Sequence, residues 1–312
     1  MSTRNPSGNQ VAKDRRAAGR MGRVARVRLW VAVLVALCLA VPAGGAQIGR
    51  DTSSYQGLGT WVDVWDGTVW AKPEAAVARM SDLGVTTLYI ETSNYSQKVD
   101  LVRPRALSRF VDAAHANGVR IVAWYLPSFR NAARDLRRSL AAVRFRSAMG
   151  ESFDSFALDI EAKVVPSAVK RSARLLALSA ALRKAIGNDY PLGAIIPAPR
   201  GMDLNPKYWP GFPYEGLAKS YDVFMPMGYF TYRTKTGAAT RAYTAANLEL
   251  LRARAGDEEL VVHAVGGLAG AATVAQVRAF ATTAADEGAV GASLYDYAST
   301  SAAQWRALSA AA

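Results

Sequence analysis

The chain has one cysteine and two histidines in 312 residues. Cys38 lies in an N-terminal apolar run, so a disulfide framework and a cysteine-built metal site are both excluded. With only His115 and His263 left, a histidine-built zinc centre is all but excluded too. There is no Walker loop, no G-x-S-x-G elbow and no EF-hand loop. Low-complexity linkers, long Pro/Ser-rich stretches and long runs of like charge are also missing. Together these absences leave a chain whose chemistry rests on carboxylates, hydroxyls and aromatic rings, with no cofactor and no metal expected.

The formal net charge of +13 suggests a polyanion partner at first sight, but its distribution says otherwise. Residues 1–28 hold eight Arg and Lys and one acid, Asp14. The apolar run "LWVAVLVALCLAV" follows, then Pro42 and the small residues "AGGA". A basic segment, a short apolar segment and small residues at Gly44 and Ala46 make residues 1–46 a signal peptide by pattern, cleaved after Ala46. The run is shorter than the ~17–25 residues of a spanning helix. An uncleaved anchor is the alternative, and the only membrane contact expected. Subtracting the net +7 of residues 1–28 leaves +6 for the remainder, too little to mark a nucleic-acid binder but suited to an anionic surface such as a cell wall. The expected product is secreted and monomeric.

From residue 59 onward, short β-rich runs alternate with Ala/Arg/Leu-rich runs. Strands are expected at 59–65, 85–91, 120–126, 152–161, 191–197, 221–229, 259–267 and 289–297. Helices between them start on prolines such as Pro73 and Pro104, or stop at glycines such as Gly84 and Gly118. A long aromatic loop, 198–220, ends in a short helix. Strict alternation implies a parallel sheet with helices outside it, and eight units in this length favour a (β/α)8 TIM barrel over 58–312, after a short lead at 47–57. An open doubly wound sheet would need a Gly-rich turn after its first strand, and "VDVWDGTVW" is not one.

The stretch "SFDSFALDIEAK", residues 152–163, sets two acids two positions apart in a mostly apolar run. Alternating side chains put Phe156, Leu158 and Ile160 against the helices, and Ser155, Ala157, Asp159 and Glu161 inside the barrel. Glu161 then falls at the C-terminal mouth, where barrel active sites sit. By the same alternation Trp61, Asp63, Trp65, Glu91, Met227, Tyr229 and Tyr295 face inward, with Trp124 and Asp296 as further candidates around the mouth. Carboxyls among aromatic rings suit a sugar substrate, since rings stack on C–H faces and carboxyls act at a glycosidic bond. Two crowded carboxyls cannot both ionise freely, so one stays protonated and can act as a general acid. Glu161 is that candidate acid and Asp159 its partner.

Each feature has a plainer alternative. Asp159 and Glu161 could simply pair with Lys163 or a nearby arginine. Asp63 and Glu91 could cap loops, and Trp65, Trp124, Trp209 and Tyr232 could pack in the core or loops. His263 reads as a satisfied core residue, and His115 as solvent-facing or packing. "GGLAG", 266–270, could cradle a phosphate, which would suit an intracellular sugar-phosphate enzyme.

"DSFALDIE", 154–161, resembles the D-x-x-D-x-D-x-E strand-four motif of chitinase-like family 18 glycoside hydrolases, with Ala157 replacing the middle Asp. "MGY", 227–229, is similar to the family's M-x-Y, and "GASLY", 291–295, to its G-x-x-x-W with Tyr295 for Trp. The resemblance implies Glu161 as acid/base, Asp159 orienting a substrate acetamido group that serves as nucleophile, Tyr229 bonding that group, and Tyr295 as the floor. Lysozyme-like family 25 barrels, which also carry D-x-E on strand four and an Asp on strand one (here Asp63), are the second resemblance. Both imply a polysaccharide with N-acetylated sugars, chitin-like or peptidoglycan. Ala157 keeps a non-catalytic carbohydrate-binding barrel in view.

Overall fold

The computed structural model describes residues 51–310; the expected signal peptide, 1–46, lies outside them. Eight parallel strands close into one barrel in chain order. They are β1 (Gly57–Val62), β2 (Thr87–Asn94), β3 (Arg120–Leu126), β4 (Ser155–Asp159), β5 (Leu192–Pro197), β6 (Val223–Met227), β7 (His263–Leu268) and β8 (Gly291–Tyr295). The helices are α1 (Gly67–Ala71), α2 (Pro73–Asp82), α3 (Pro104–Ala116), α4 (Ala132–Val143), α5 (Ala168–Ile186), α6 (Pro199–Leu204), α7 (Tyr214–Ala218), α8 (Gly237–Ala255), α9 (Val274–Asp286) and α10 (Ala302–Ser309). None of the described helices is long and apolar enough to cross a membrane.

Local chemistry sets the ends of these elements. Pro73 and Pro104 open α2 and α3, where a missing N–H costs nothing. Asn131, Ser167 and Thr236 cap α4, α5 and α8 with side-chain oxygens, and Thr273 and Ser301 form full capping boxes with Gln276 and Gln304. Strand β1 stops at Val62 rather than at 65 because Asp63 turns the chain: its Oδ1 accepts the Trp65 N–H at 2.6 Å. Asp257 does the same for Glu259 at 3.0 Å, so β7 begins at His263 instead of 259. The long loop after β5 holds two short helices, α6 and α7, rather than one.

The apolar residues divide into two cores. Between strands and helices, Phe110, Phe156, Leu158, Ile160 and Phe224 are buried together. Inside the barrel, Trp61, Tyr89, Val122, Trp124, Ala157, Ile195, Met225 and Val265 form a second cluster. The expected facing of β4 is therefore the observed one, at ~1.5–3 kcal/mol for each large side chain buried.

The barrel interior is solid below the mouth. Tyr55, from the short turn before β1, inserts its ring; its hydroxyl meets Ser155 Oγ at 2.5 Å. The fold thus starts a few residues before 58. Trp61 stacks on Tyr89 with ring centres 4.4 Å apart. Trp61 Nε1, which can only donate, gives its hydrogen to Ser293 Oγ at 2.8 Å. His263 Nδ1–H donates to the Tyr55 carbonyl at 2.8 Å, so Nε2 of the neutral ring accepts, and the Ser293 hydroxyl donates to it at 3.0 Å. Burial lowers the His263 pKa to about 4, keeping the ring neutral and fixing its tautomer as the expected core residue. Glycine makes this filling possible: a Cβ on Gly193 would lie 2.7 Å from the Tyr55 hydroxyl oxygen, and one on Gly291 2.5 Å from the Gly57 carbonyl oxygen.

Candidate active site

Asp159 closes β4 and Glu161 follows two residues later. The strand is shorter than expected, yet its pairing direction carries on: Ile160 N–H donates to the Ile195 carbonyl at 2.7 Å. That bond keeps the alternation running, so both acids project toward the mouth. Asp159 is buried, and its Oδ1 has no hydrogen-bond partner. Burial raises its pKa well above the ordinary carboxyl range, and the fields of Glu161 and Glu91 raise it further. Burial also raises the pKa of Glu161. Among the described residues neither acid forms an ion pair. Lys163, the alternative partner named from sequence, lies 4.6 Å over the Tyr208 ring instead.

Glu161 lines an open cleft of about 250 Å³. Met227, Gly228 and Tyr229 wall it from the end of β6, Tyr232 and Arg233 from the turn beyond, and Met202, Asn205 and Tyr208 from the loop after β5. Tyr229 adopts a left-handed backbone (φ 40°) that lets it leave the strand and donate its N–H to the Gly266 carbonyl at 2.6 Å. Its ring stands edge-on to Tyr232 at 6.2 Å and to Tyr295 at 6.5 Å. Burial, then the negative fields of Glu161 and Asp159, hold the Tyr229 hydroxyl protonated, so it can donate a hydrogen bond. Tyr208 donates its hydroxyl to the Glu161 carbonyl at 2.9 Å, tying the loop to the end of β4. Arg171 supports that wall by donating to the Val165 and Tyr208 carbonyls and lying 4.0 Å over Trp209.

The other candidates take different places. Asp63 accepts the Tyr295 hydroxyl at 2.5 Å through Oδ2 while its Oδ1 holds the Trp65 N–H. Glu91 is buried and clamps the same loop: its oxygens accept from Val64 N and Asn94 Nδ2 at 3.0 and 2.9 Å. Burial raises its pKa to about 7 despite those donors, with Asp63 and Glu161 adding to the rise. Trp65, expected to face inward, is 73% exposed, because the turn at Asp63 takes it out of the strand alternation. Trp124 does point into the barrel but is buried beneath the mouth, edge-on to Trp61, and is not part of the cleft wall. Asp296 lies on the rim and binds Ser299 and Thr300. It approaches Asp63 and Asp66 to within 4.8 Å. Burial and then Asp63 push Asp66 up to about 6.

Several other sequence features prove structural. Asp154, the first acid of the motif, precedes β4 and holds Ile121 N and His115 at 2.7 and 3.2 Å. His115 is thus half-buried in a small hydrogen-bonded group with Glu151 and Asp154. The glycines of 266–270 serve packing: a Cβ on Gly266 would meet Phe280 at 2.8 Å and one on Gly267 would meet Thr231 at 2.7 Å. The Leu268 N–H, which a phosphate would need, donates to Thr231 Oγ1. Asn205, Tyr208, Arg233 and Tyr243 also line the cleft; the aromatic richness of 198–220 is the signal in sequence for the first two, and Arg233 and Tyr243 carry none.

No family model matches the chain, and no curated protein does. Solved structures do match. The spore cortex-lytic enzyme SleL of Bacillus cereus is 9% identical over 81% of this chain and 73% of that one, with a TM-score of 0.62. A family GH18 chitinase from Cycas revoluta, in complex with allosamidin, is 13% identical over 81% and 99%, TM-score 0.58. An endo-β-1,4-mannanase from Thermotoga petrophila is 10% identical over 78% and 68%, TM-score 0.59. The likeness is one of fold: the barrel is of the kind that chitinases and related glycosidases share.

Proposed function

We propose that this chain is an exported glycoside hydrolase acting on a polysaccharide with N-acetylated sugars. Glu161 is its acid/base and Asp159 its partner. One observation carries the reading: two carboxyls with raised pKa values, free of ion pairs among the described residues, meet at the barrel mouth beside a tyrosine-lined cleft. A carboxylic acid that keeps its proton near neutrality is what a glycosidic oxygen needs as it leaves. Burial, then the fields of Glu161 and Glu91, favour the protonated form of Asp159, so it can offer a hydrogen bond to a substrate carbonyl or accept one from an N–H once ionised.

The chemistry follows from those roles. Glu161 gives its proton to the glycosidic oxygen as the C1–O bond breaks. The substrate's own acetamido oxygen attacks C1 and forms the new C–O bond, held by Asp159 and the Tyr229 hydroxyl. Glu161, now a carboxylate, takes a proton from water as that water attacks C1 and releases the acetamido group, restoring the acid. This substrate-assisted route is a known exception to the scheme with two catalytic carboxylates. Tyr295, fixed by Asp63, floors the sugar.

A second reading has its own observation. Ala157, fully buried where the resembling motif has an acid, supplies no proton partner beside Asp159, and the barrel could bind glycans without cleaving them. Glu161→Gln separates the two on chitotetraose and on peptidoglycan. An enzyme loses ~10²–10⁴-fold in turnover, whereas a binder shows no turnover in the parent and retains affinity in the variant.

A further inference from the structure

Most well-placed arginines of the barrel are spoken for: Arg109, Arg137, Arg138, Arg183 and Arg254 each meet a carboxylate. Arg233 and Lys163 do not; among the described residues neither forms an ion pair. One lines the cleft and the other lies against the ring of a wall residue. Arg233 is part of the cleft wall, with Tyr229, Tyr232 and Tyr243. Lys163 lies over Tyr208 on the side of β4. The cleft also contains Glu161, yet no cation appears among the causes of its raised pKa, so neither base is spent on the catalytic acid.

We propose, resting on the glycosidase reading above, that Arg233 in the cleft wall, with Lys163 near it over Tyr208 as a secondary cation, forms a subsite for a sugar bearing a carboxylate, so that the preferred glycan is anionic rather than plain chitin. A guanidinium presents paired N–H donors that match a carboxylate's two oxygens, a geometry an ammonium lacks. The cleft is small beside the ~300–1,000 Å³ of typical ligand pockets, so it takes one sugar unit with its substituent. The charge on that substituent needs a counter-charge, because an unpaired carboxylate drawn out of water into a tyrosine-walled cleft is costly. Two sugar chemistries supply a carboxylate beside an N-acetylated unit: the lactyl ether of muramic sugars and the C6 carboxylate of uronic acids.

Calorimetric titration in the Glu161→Gln background tests the proposal, with three tetrasaccharides as probes. These are neutral chitotetraose, its counterpart alternating with N-acetylmuramic acid, and one alternating with glucuronic acid. At least one anionic probe is expected to bind ~10-fold or more tighter than chitotetraose, and raised salt should shrink the ratio. The probe with the higher ratio identifies which carboxylate is used. Arg233→Gln should bring that ratio to within about twofold of unity, Arg233→Lys should retain part of it, and Lys163→Gln should lower it less. Chitotetraose binding with no preference for either anionic probe overturns the subsite and leaves the glycosidase reading standing, as does a preference that Arg233→Gln leaves intact. No binding by any of the three overturns both.

Discussion

The Tyr295 hydroxyl donates to Asp63 Oδ2 across the seam between β8 and the end of β1, at 2.5 Å. An acid that alternation leaves only as an inward-facing substrate-binding candidate orients a ring here. Tyr295→Phe keeps that ring and removes the bond; with a charged acceptor this is worth ~1.5–3 kcal/mol. The expected outcome is a rise of ~10-fold in KM for chitotetraose with a smaller change in kcat. Asp63→Asn should do the same more weakly. A fall in kcat alone would place Asp63 in the chemistry instead.

Glu91 gives a pH signature in stability. Its carboxyl ordinarily titrates near 4.5 but in the fold near 7. Between those values the folded chain holds a proton that the unfolded chain has lost, so Glu91 makes stability fall as pH rises, by at most ~1.4 kcal/mol per unit. His263 acts oppositely: its folded value of about 4 lies below the ordinary 6.5, so its contribution rises with pH over that span. In Glu91→Gln the rising term is left with less opposition. The Tm of the variant minus that of the parent should grow from pH 5 to pH 7.5. A difference independent of pH would sink the assignment.

Gly291 sits where β8 crosses the plug. A Cβ there would lie 2.5 Å from the Gly57 carbonyl oxygen and 2.7 Å from that of Tyr55, both backbone atoms with little room to give. Gly291→Ala should cost at least ~3 kcal/mol, the upper end for overpacking. Urea unfolding reads this as a lower midpoint at unchanged slope.

Arg171 is buried beneath the loop that carries Tyr208 and ties Tyr208 and Trp209 of that loop to Val165 in the segment after β4. Arg171→Gln should loosen the wall without touching Glu161. Expected are a several-fold loss in kcat/KM and faster proteolysis within 198–218, while a protease map identical to that of the parent would argue against a supporting role.

The regular parts of this molecule were legible and the irregular parts were not. Strand β3 begins and ends where its apolar run does, and Phe156, Leu158 and Ile160 pack outward as a period of two requires. Trp65 went astray because an Asx turn at Asp63 ended the strand early, and side-chain capping outranks β propensity there. Glu91 and Glu161 look alike in sequence as strand-end acids. What separates them is a pair of N–H donors that only the folded chain brings to Glu91. Tyr208 and Arg233 lie in stretches with no period, where nothing ties position in the chain to position in space.

Because Tyr55, Trp61, Tyr89 and His263 fill the barrel beneath the mouth, the described residues leave the barrel no tunnel and no rear exit. On the proposed glycosidase reading, a long glycan lies across the top like a rope over a bollard, and both cleaved ends leave by the side from which they arrived. Strand length in the substrate is then limited by nothing inside the protein, only by what the rim can grip.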